Sequence, residues 1–118
     1  MSRLRCAIYS RFSSDRQSPT SIDDQVRKCR AYAERQDWSV LDDHLYSDEA
    51  ICGDSTDRAG LHKLLAAATG SARPFDCILI DDTSRLTRKL ADALNLYERL
   101  SFAGIRVVAV SQGVDSDS

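Results

Sequence analysis

Residues 76–80 read Asp-Cys-Ile-Leu-Ile, and residues 81–88 continue as Asp-Asp-Thr-Ser-Arg-Leu-Thr-Arg. Four consecutive apolar residues between acids fit a short strand covered on both faces, as in a parallel sheet. Downstream, Leu90, Leu94, Tyr97 and Leu100 recur at helical spacing, Gly104 stops that helix, and Ile105 to Val110 forms another apolar strand. Upstream, Pro74 breaks the chain behind a helix marked by Leu61, Leu64, Leu65 and Ala68, which begins near a possible cap at Asp57 and ends near Gly70. Before it, residues 39–46 read as a strand of mixed polarity. Earlier still, Ile22, Val26, Cys29 and Ala33 lie on one helical stripe that runs to about Asp37. Thr20-Ser21 precede it as an N-cap, with Asp23 and Asp24 in the first turn. Residues 4–9 supply a first strand. The polar tail 111–118 reads as no further element.

The order is strand, helix, strand, helix, strand, helix, strand. It predicts an α/β fold: a mainly parallel central sheet with helices on both faces and right-handed crossovers. Such sheets bind ligands beyond the carboxyl ends of their strands. That edge gathers Arg11 and Ser13 after the first strand, Arg58 after the second, and Asp82, Ser84, Arg85 and Arg88 after the third.

Composition narrows the function classes. The chain has 118 residues, 42% hydrophobic and 29% charged, ordinary values for a folded globular chain. Its longest apolar run is five residues, too short to span a bilayer, and the N-terminus carries no apolar signal segment. No membrane association and a cytoplasmic location are expected. Net charge is −2, with 13 Arg against 3 Lys. Arginine suits bidentate contacts to phosphate or carboxylate. Residues 1–40 hold eight basic and five acidic groups, whereas 41–57 hold six acids and no Lys or Arg. The acidic stretch reads as a solvated face and loop. Cys6, Cys29, Cys52 and Cys77 form no CxxC pair, and His44 and His62 complete no ligand set, so reduced thiols and no structural metal are expected.

Four guanidiniums at one rim repel each other unless an anion sits among them, and their planar forks match phosphate oxygens. Positioned cations stabilise the charge that builds up in phosphoryl transfer. Within a positive field a serine hydroxyl can act as nucleophile. Singly, each residue has a plainer use: serine as a cap, arginine on a solvated helix, Tyr9 as packing. Their common edge is what joins them.

The stretch AIYSRFSSDRQ (7–17) followed by SIDDQV (21–26) resembles the start of the catalytic domain of serine site-specific recombinases, the resolvase/invertase family. The family's Tyr-x-Arg-x-Ser pattern fits Tyr9, Arg11 and Ser13. STDRAGLHKLL (55–65) resembles its Asp-Arg-x-Gly-Leu motif at Asp57, Arg58, Gly60 and Leu61. DDTSRLTR (81–88) is similar to its Arg-Leu-x-Arg motif at Arg85, Leu86 and Arg88. The three blocks fall in the family's order and cover nearly the whole chain.

The resemblance implies a resolvase-like catalytic domain in which Ser13 attacks a DNA phosphodiester to form a 5′-phosphoserine link. Arg11, Arg85 and Arg88 would bind the scissile phosphate, with Arg58 supporting them, and Tyr9, Gln25, Ser84 and Asp82 nearby in supporting places. Ser84 stands where small resolvases tend to carry Asp, so no proton-transfer role passes to it. No cofactor or metal is implied. The partners implied are double-stranded DNA at specific sites and a homodimer or tetramer of the full-length protein, encoded by a bacterium, phage or mobile element. The spacing from Ser13 to Gln25 looks more like the large serine recombinases. On this reading residues 1–118 are the catalytic core, with the dimerisation helix and DNA-binding domains outside them.

Two other readings stay open. Asp81-Asp82 could help hold Mg²⁺ in a metal-dependent phosphotransfer or receiver-type domain, although such a site wants acids after the first strand, where Arg11 stands. Alternatively, the chain is a non-catalytic recombinase-like interaction module.

Overall fold

A computed structural model describes residues 4–13, 21–50, 59–82 and 90–115. The elements are β1 (Arg5–Ser13), α1 (Ile22–Gln36), β2 (Ser39–Ala50), α2 (Ala59–Thr69), β3 (Cys77–Ile80), α3 (Leu90–Phe102), β4 (Arg106–Ala109) and β5 (Val114–Asp115). They form one sheet in the order β2-β1-β3-β4-β5. The first four strands are parallel, and β5 runs antiparallel to β4. The expected α/β architecture is therefore present.

Strand alternation sorts the core into two layers. Ala7, Tyr9, Ile78, Ile80, Val107 and Ala109 face one way and pack with Leu61, Leu64, Leu65 and Ala68 of α2 and Leu100 of α3. Cys6, Ile8, Cys77, Leu79 and Val108 face the other way and meet Cys29 and Ala33 of α1. Helices thus cover both faces, which is why β3 and the end of β4 could be read as unbroken apolar runs.

Local signals place the ends of α1. Ser21 is the N-cap, and its hydroxyl accepts the Asp24 N–H at 3.1 Å. Asp37 closes the helix in the left-handed conformation, its N–H bonded to the carbonyls of Ala33 and Glu34. Gly104 follows α3 with φ +81°, a conformation that favours glycine.

Three expectations need correction. β2 does not stop at Tyr46 but runs to Ala50, because β1 continues beside it: Ser10 pairs with Ser47 and Ser13 with Ala50. Leu94 is 59% exposed rather than part of a buried stripe. The polar tail does hold an element, since Val114 pairs with Ala109 and Asp115 with Val108. A two-residue edge strand has too few positions to show alternation.

Candidate active site

In the order β2-β1-β3-β4 the chain moves one way from β1 to β2, then crosses back over β1 to β3. The direction of winding therefore reverses at β1, and the crevice beyond the carboxyl ends of β1 and β3 is the topological switch point. Tyr9, Arg11 and Ser13 lie at the end of β1. Asp81 and Asp82 follow β3 directly.

On its β2 side, β1 is paired up to Ser13; Arg11 is level with Asp48. On its β3 side the registered pairs end at Ile8 and Leu79. Beyond that point a side chain takes over the sheet's role. Gln25, fully buried on α1, accepts the Arg11 N–H on Oε1 at 3.1 Å and donates Nε2–H to the Arg11 carbonyl at 3.0 Å. One amide thus satisfies both backbone groups of Arg11 and fixes the strand two residues before Ser13.

Tyr9 is buried among the α2-side core residues, so it packs as its residue type suggests. It also has a polar role, because its hydroxyl donates to Asp48 Oδ2 at 2.7 Å. The Asp48 carboxylate in turn accepts the N–H groups of Gly60 at 2.8 Å and Leu61 at 2.9 Å. An acid from β2 therefore neutralises unpaired donors in the first turn of α2, where the helix dipole favours negative charge. The approach is close: a Cβ on Gly60 would overlap the Ser47 carbonyl oxygen and lie 2.9 Å from the Ser47 carbonyl carbon. Asp48 belongs to the acidic stretch expected to be a solvated face. Asp42 and Asp43 fit that expectation, but Asp48 is half-buried and joins β1, β2 and α2.

Asp81 is also not what the sequence suggested. It is 3% exposed, its carboxylate accepts the Ser111 hydroxyl, and Lys28 Nζ of α1 lies 3.8 Å away. Its backbone carbonyl accepts the Ser111 N–H at 2.9 Å. The carboxylate is thus engaged with α1 and with Ser111, two residues beyond β4. Asp82 is half-buried at the same strand end. No group of three or more His, Cys, Asp or Glu side chains suited to a metal ion occurs among the described residues.

Beside Asp81, burial first, then the charges of Asp81 and Cys6, push the Cys29 thiol up to about 12, with Lys28 pulling the other way. Cys6, Cys29 and Cys77 are all buried and in no disulfide. Ser10 is fully buried too, and its hydroxyl has no hydrogen-bond partner among the described residues.

Among the residues singled out from sequence, Tyr9, Arg11 and Gln25 come together with the backbone of Ser13, and Asp82 stands at the end of the neighbouring strand. Arg58, Ser84, Arg85 and Arg88 lie outside the described residues; Arg58 directly precedes α2, and the other three fall between β3 and α3. Asp48, Asp81 and Lys28 were not singled out as site residues for these contacts. Their only signal was position, an acid at the end of a strand or a lysine one turn after Gln25.

Residues 6–118 match the family model described as Resolvase, N terminal domain. The chain belongs to this resolvase family. The N-terminal catalytic domain of TP901-1 integrase is similar at 27% identity and a TM-score of 0.81, covering 97% of this chain and 82% of that one. The C-terminal catalytic domain of ISC1926 TnpA, an IS607-like serine recombinase, matches at 30% identity and a TM-score of 0.74, over 91% of this chain and 70% of that one. A resolvase family site-specific recombinase from Streptococcus pneumoniae, 20% identical, shares the fold with a TM-score of 0.74 over 98% of this chain and 78% of that one. A search of curated proteins found no match. The resolvase domain thus has the architecture of serine recombinase catalytic domains, and no helix among the described residues is long and apolar enough to cross a membrane.

Proposed function

We propose that this resolvase domain cleaves and rejoins double-stranded DNA in site-specific recombination, with Ser13 as nucleophile. Ser13 Oγ gives up its proton and attacks the scissile phosphorus. The bond from phosphorus to the 3′-oxygen breaks, and that oxygen leaves as a 3′-hydroxyl. The DNA 5′ end stays on Ser13 as a phosphodiester, so bond energy is kept and a 3′-hydroxyl of the exchanged strand can attack in reverse. Neither ATP nor a metal enters this balance. Arg11, Arg85 and Arg88 hold the phosphate oxygens as charge builds on them, and Arg58 supports them. Gln25 and Tyr9 keep the end of β1 in place, and Ser84 and Asp82 border the same edge.

The observation that carries this reading is the hold of Gln25 on both backbone groups of Arg11, at the switch point of the sheet. It specifies the strand geometry two residues before the nucleophile. Membership in the resolvase family supports the same assignment. Residues 1–118 serve as the catalytic core of a larger cytoplasmic protein that works as a homodimer or tetramer on its DNA sites.

The test is covalent capture. Full-length protein is incubated with recombination-site DNA in excess chelator, quenched with denaturant and digested to locate the adduct. The wild type forms a 5′-linked adduct on Ser13, Ser13→Ala forms none, and Arg11→Ala lowers the cleavage rate on the order of a hundred-fold. An adduct of undiminished yield from Ser13→Ala, or a strict need for Mg²⁺, would overturn the proposal.

A further inference from the structure

Asp81 is a buried acid at the carboxyl end of β3. A carboxylate taken out of water loses much of its solvation and must recover it from hydrogen bonds and charge. Here the recovery comes from two sides. Ser111, after β4, donates its hydroxyl to the carboxylate and its N–H to the Asp81 carbonyl. Lys28 reaches in from α1 to 3.8 Å, an ion-pair distance too long for a direct hydrogen bond. Asp81 itself is the residue at which the chain leaves β3 for the segment that carries Arg85 and Arg88.

α1 makes a second contact to the same crevice. Gln25 and Lys28 are three residues apart on the helix and so lie on neighbouring turns of one face. Gln25 grips the end of β1 through Arg11, and Lys28 faces the end of β3 through Asp81. One helical turn therefore spans the two strands that border the switch point. Its two contacts differ in kind, one a pair of hydrogen bonds to backbone and the other a charge facing a buried charge.

We infer that Asp81 is a positioning residue for the site at the switch point: paired with Lys28 and tied to Ser111, it holds the carboxyl end of β3 in place beside the end of β1. This rests on the recombinase reading of the site. It makes a distinction that plain packing does not. Asparagine has nearly the shape of aspartate, can still accept the Ser111 hydroxyl, and is cheaper to bury. If Asp81 only filled space, Asp81→Asn would be harmless; if its charge holds Lys28 and the strand exit, Asp81→Asn is damaging.

The experiment uses full-length protein. Adduct formation on recombination-site DNA is followed under single turnover as DNA is raised to saturation, and backbone amide exchange is read across residues 79–82 and 109–112. In Asp81→Asn the saturating rate is expected to fall ten-fold or more, while the DNA concentration for half-maximal rate stays within two-fold and exchange across 79–82 and 109–112 accelerates. Lys28→Met, a surface change that leaves the core intact, reproduces the direction of both effects, and Lys28→Arg restores the wild-type rate. Should Asp81→Asn fail to fold, Lys28→Met and Lys28→Arg carry the test. Wild-type rates in folded Asp81→Asn or in Lys28→Met overturn the inference, and so does unchanged exchange across 79–82 and 109–112. The exchange readout does not depend on which serine is the nucleophile. Failure of the recombinase reading appears separately, as an adduct that persists in Ser13→Ala or never forms in the wild type.

Discussion

Ser10 and Ser13 lie three residues apart on β1 but differ in kind. Ser10 sits on the α1 face, fully buried, its hydroxyl without a partner among the described residues. An orphaned buried hydroxyl is a cost that alanine removes with little loss of volume. Ser10→Ala is expected to raise stability by about 1 kcal/mol or leave it unchanged, and to form the DNA adduct as the wild type does. A denaturant midpoint that falls clearly in Ser10→Ala would mean the hydroxyl is satisfied in solution. Cys29 gives a second residue-level expectation. Burial and its acidic neighbour hold the thiol protonated, its pKa raised to about 12. Since the thiolate is the reactive form, a thiol reagent at pH 8 should label Cys29 only as fast as the chain opens. Labelling that rises with reagent concentration and ignores stabilising conditions would contradict this. The sequence showed the burial of Cys29, through the helical stripe it shares with Ile22, Val26 and Ala33, but not the acid beside it. The burial of Ser10 was not visible, because a serine looks alike in sequence whether it faces a core or water, and only pairing of β1 with its neighbours decides it.

At the scale of elements, what the sequence disclosed follows how local each determinant is. The start of α1 depends on Ser21 and its next three residues, so it could be placed from sequence. The buried stripe of α2 was legible for the same reason, since Leu61, Leu64, Leu65 and Ala68 repeat at helical spacing and all are buried. Leu64→Ala should cost about 2–5 kcal/mol in denaturant unfolding, as a large-to-small change in a filled core. What holds the first turn of α2 was not legible. Its donors go to Asp48, twelve residues before Gly60 on another element, and only the fold makes them neighbours. Gly60 is required there by contact with the Ser47 backbone. Gly60→Ala is therefore expected to destabilise by about 1–3 kcal/mol, more than the usual gain from alanine in a helix. Because Arg58 immediately precedes this turn, the same variant should also slow adduct formation. Equal or greater stability in Gly60→Ala would show that α2 can shift away from β2 without loss.

Over the whole molecule, the alternation of strands and helices was enough to give the parallel sheet and its carboxyl edge, because both follow from connectivity and handedness rather than from any one contact. It could not give the order of the strands, and the switch point at β1 and β3 depends on that order. The opposite edge of the sheet yields a prediction about pH. Arg5, at the start of β1, donates from Nε to Asp76 Oδ2 at 3.0 Å and from Nη2 to Oδ1 at 3.1 Å. Arg5 N–H also bonds Asp76 Oδ2, and Asp76 N–H donates to the Arg5 carbonyl, so the pair fastens the entry of β1 to that of β3. The Arg5 hydrogen bond above all, against a smaller effect of burial, holds the Asp76 carboxyl below its ordinary value, and the same pairing raises Arg5. A group whose pKa is lowered by folding adds stability above its unfolded value and loses it as pH falls through its folded value. Arg5 stays charged across that range, so the acid limb belongs to Asp76. The pair is solvent-exposed, so its contribution is modest and weakened by salt. Asp76→Asn should lower Tm slightly at pH 7, and the difference from wild type should shrink as pH falls below the carboxylate range. The pair lies at the amino edge, away from the switch point, so single-turnover adduct formation at saturating DNA should be unchanged. A Tm difference that persists or grows in acid would remove Asp76 as its source, and a slowed reaction in Asp76→Asn would mean that the two edges of the sheet are coupled.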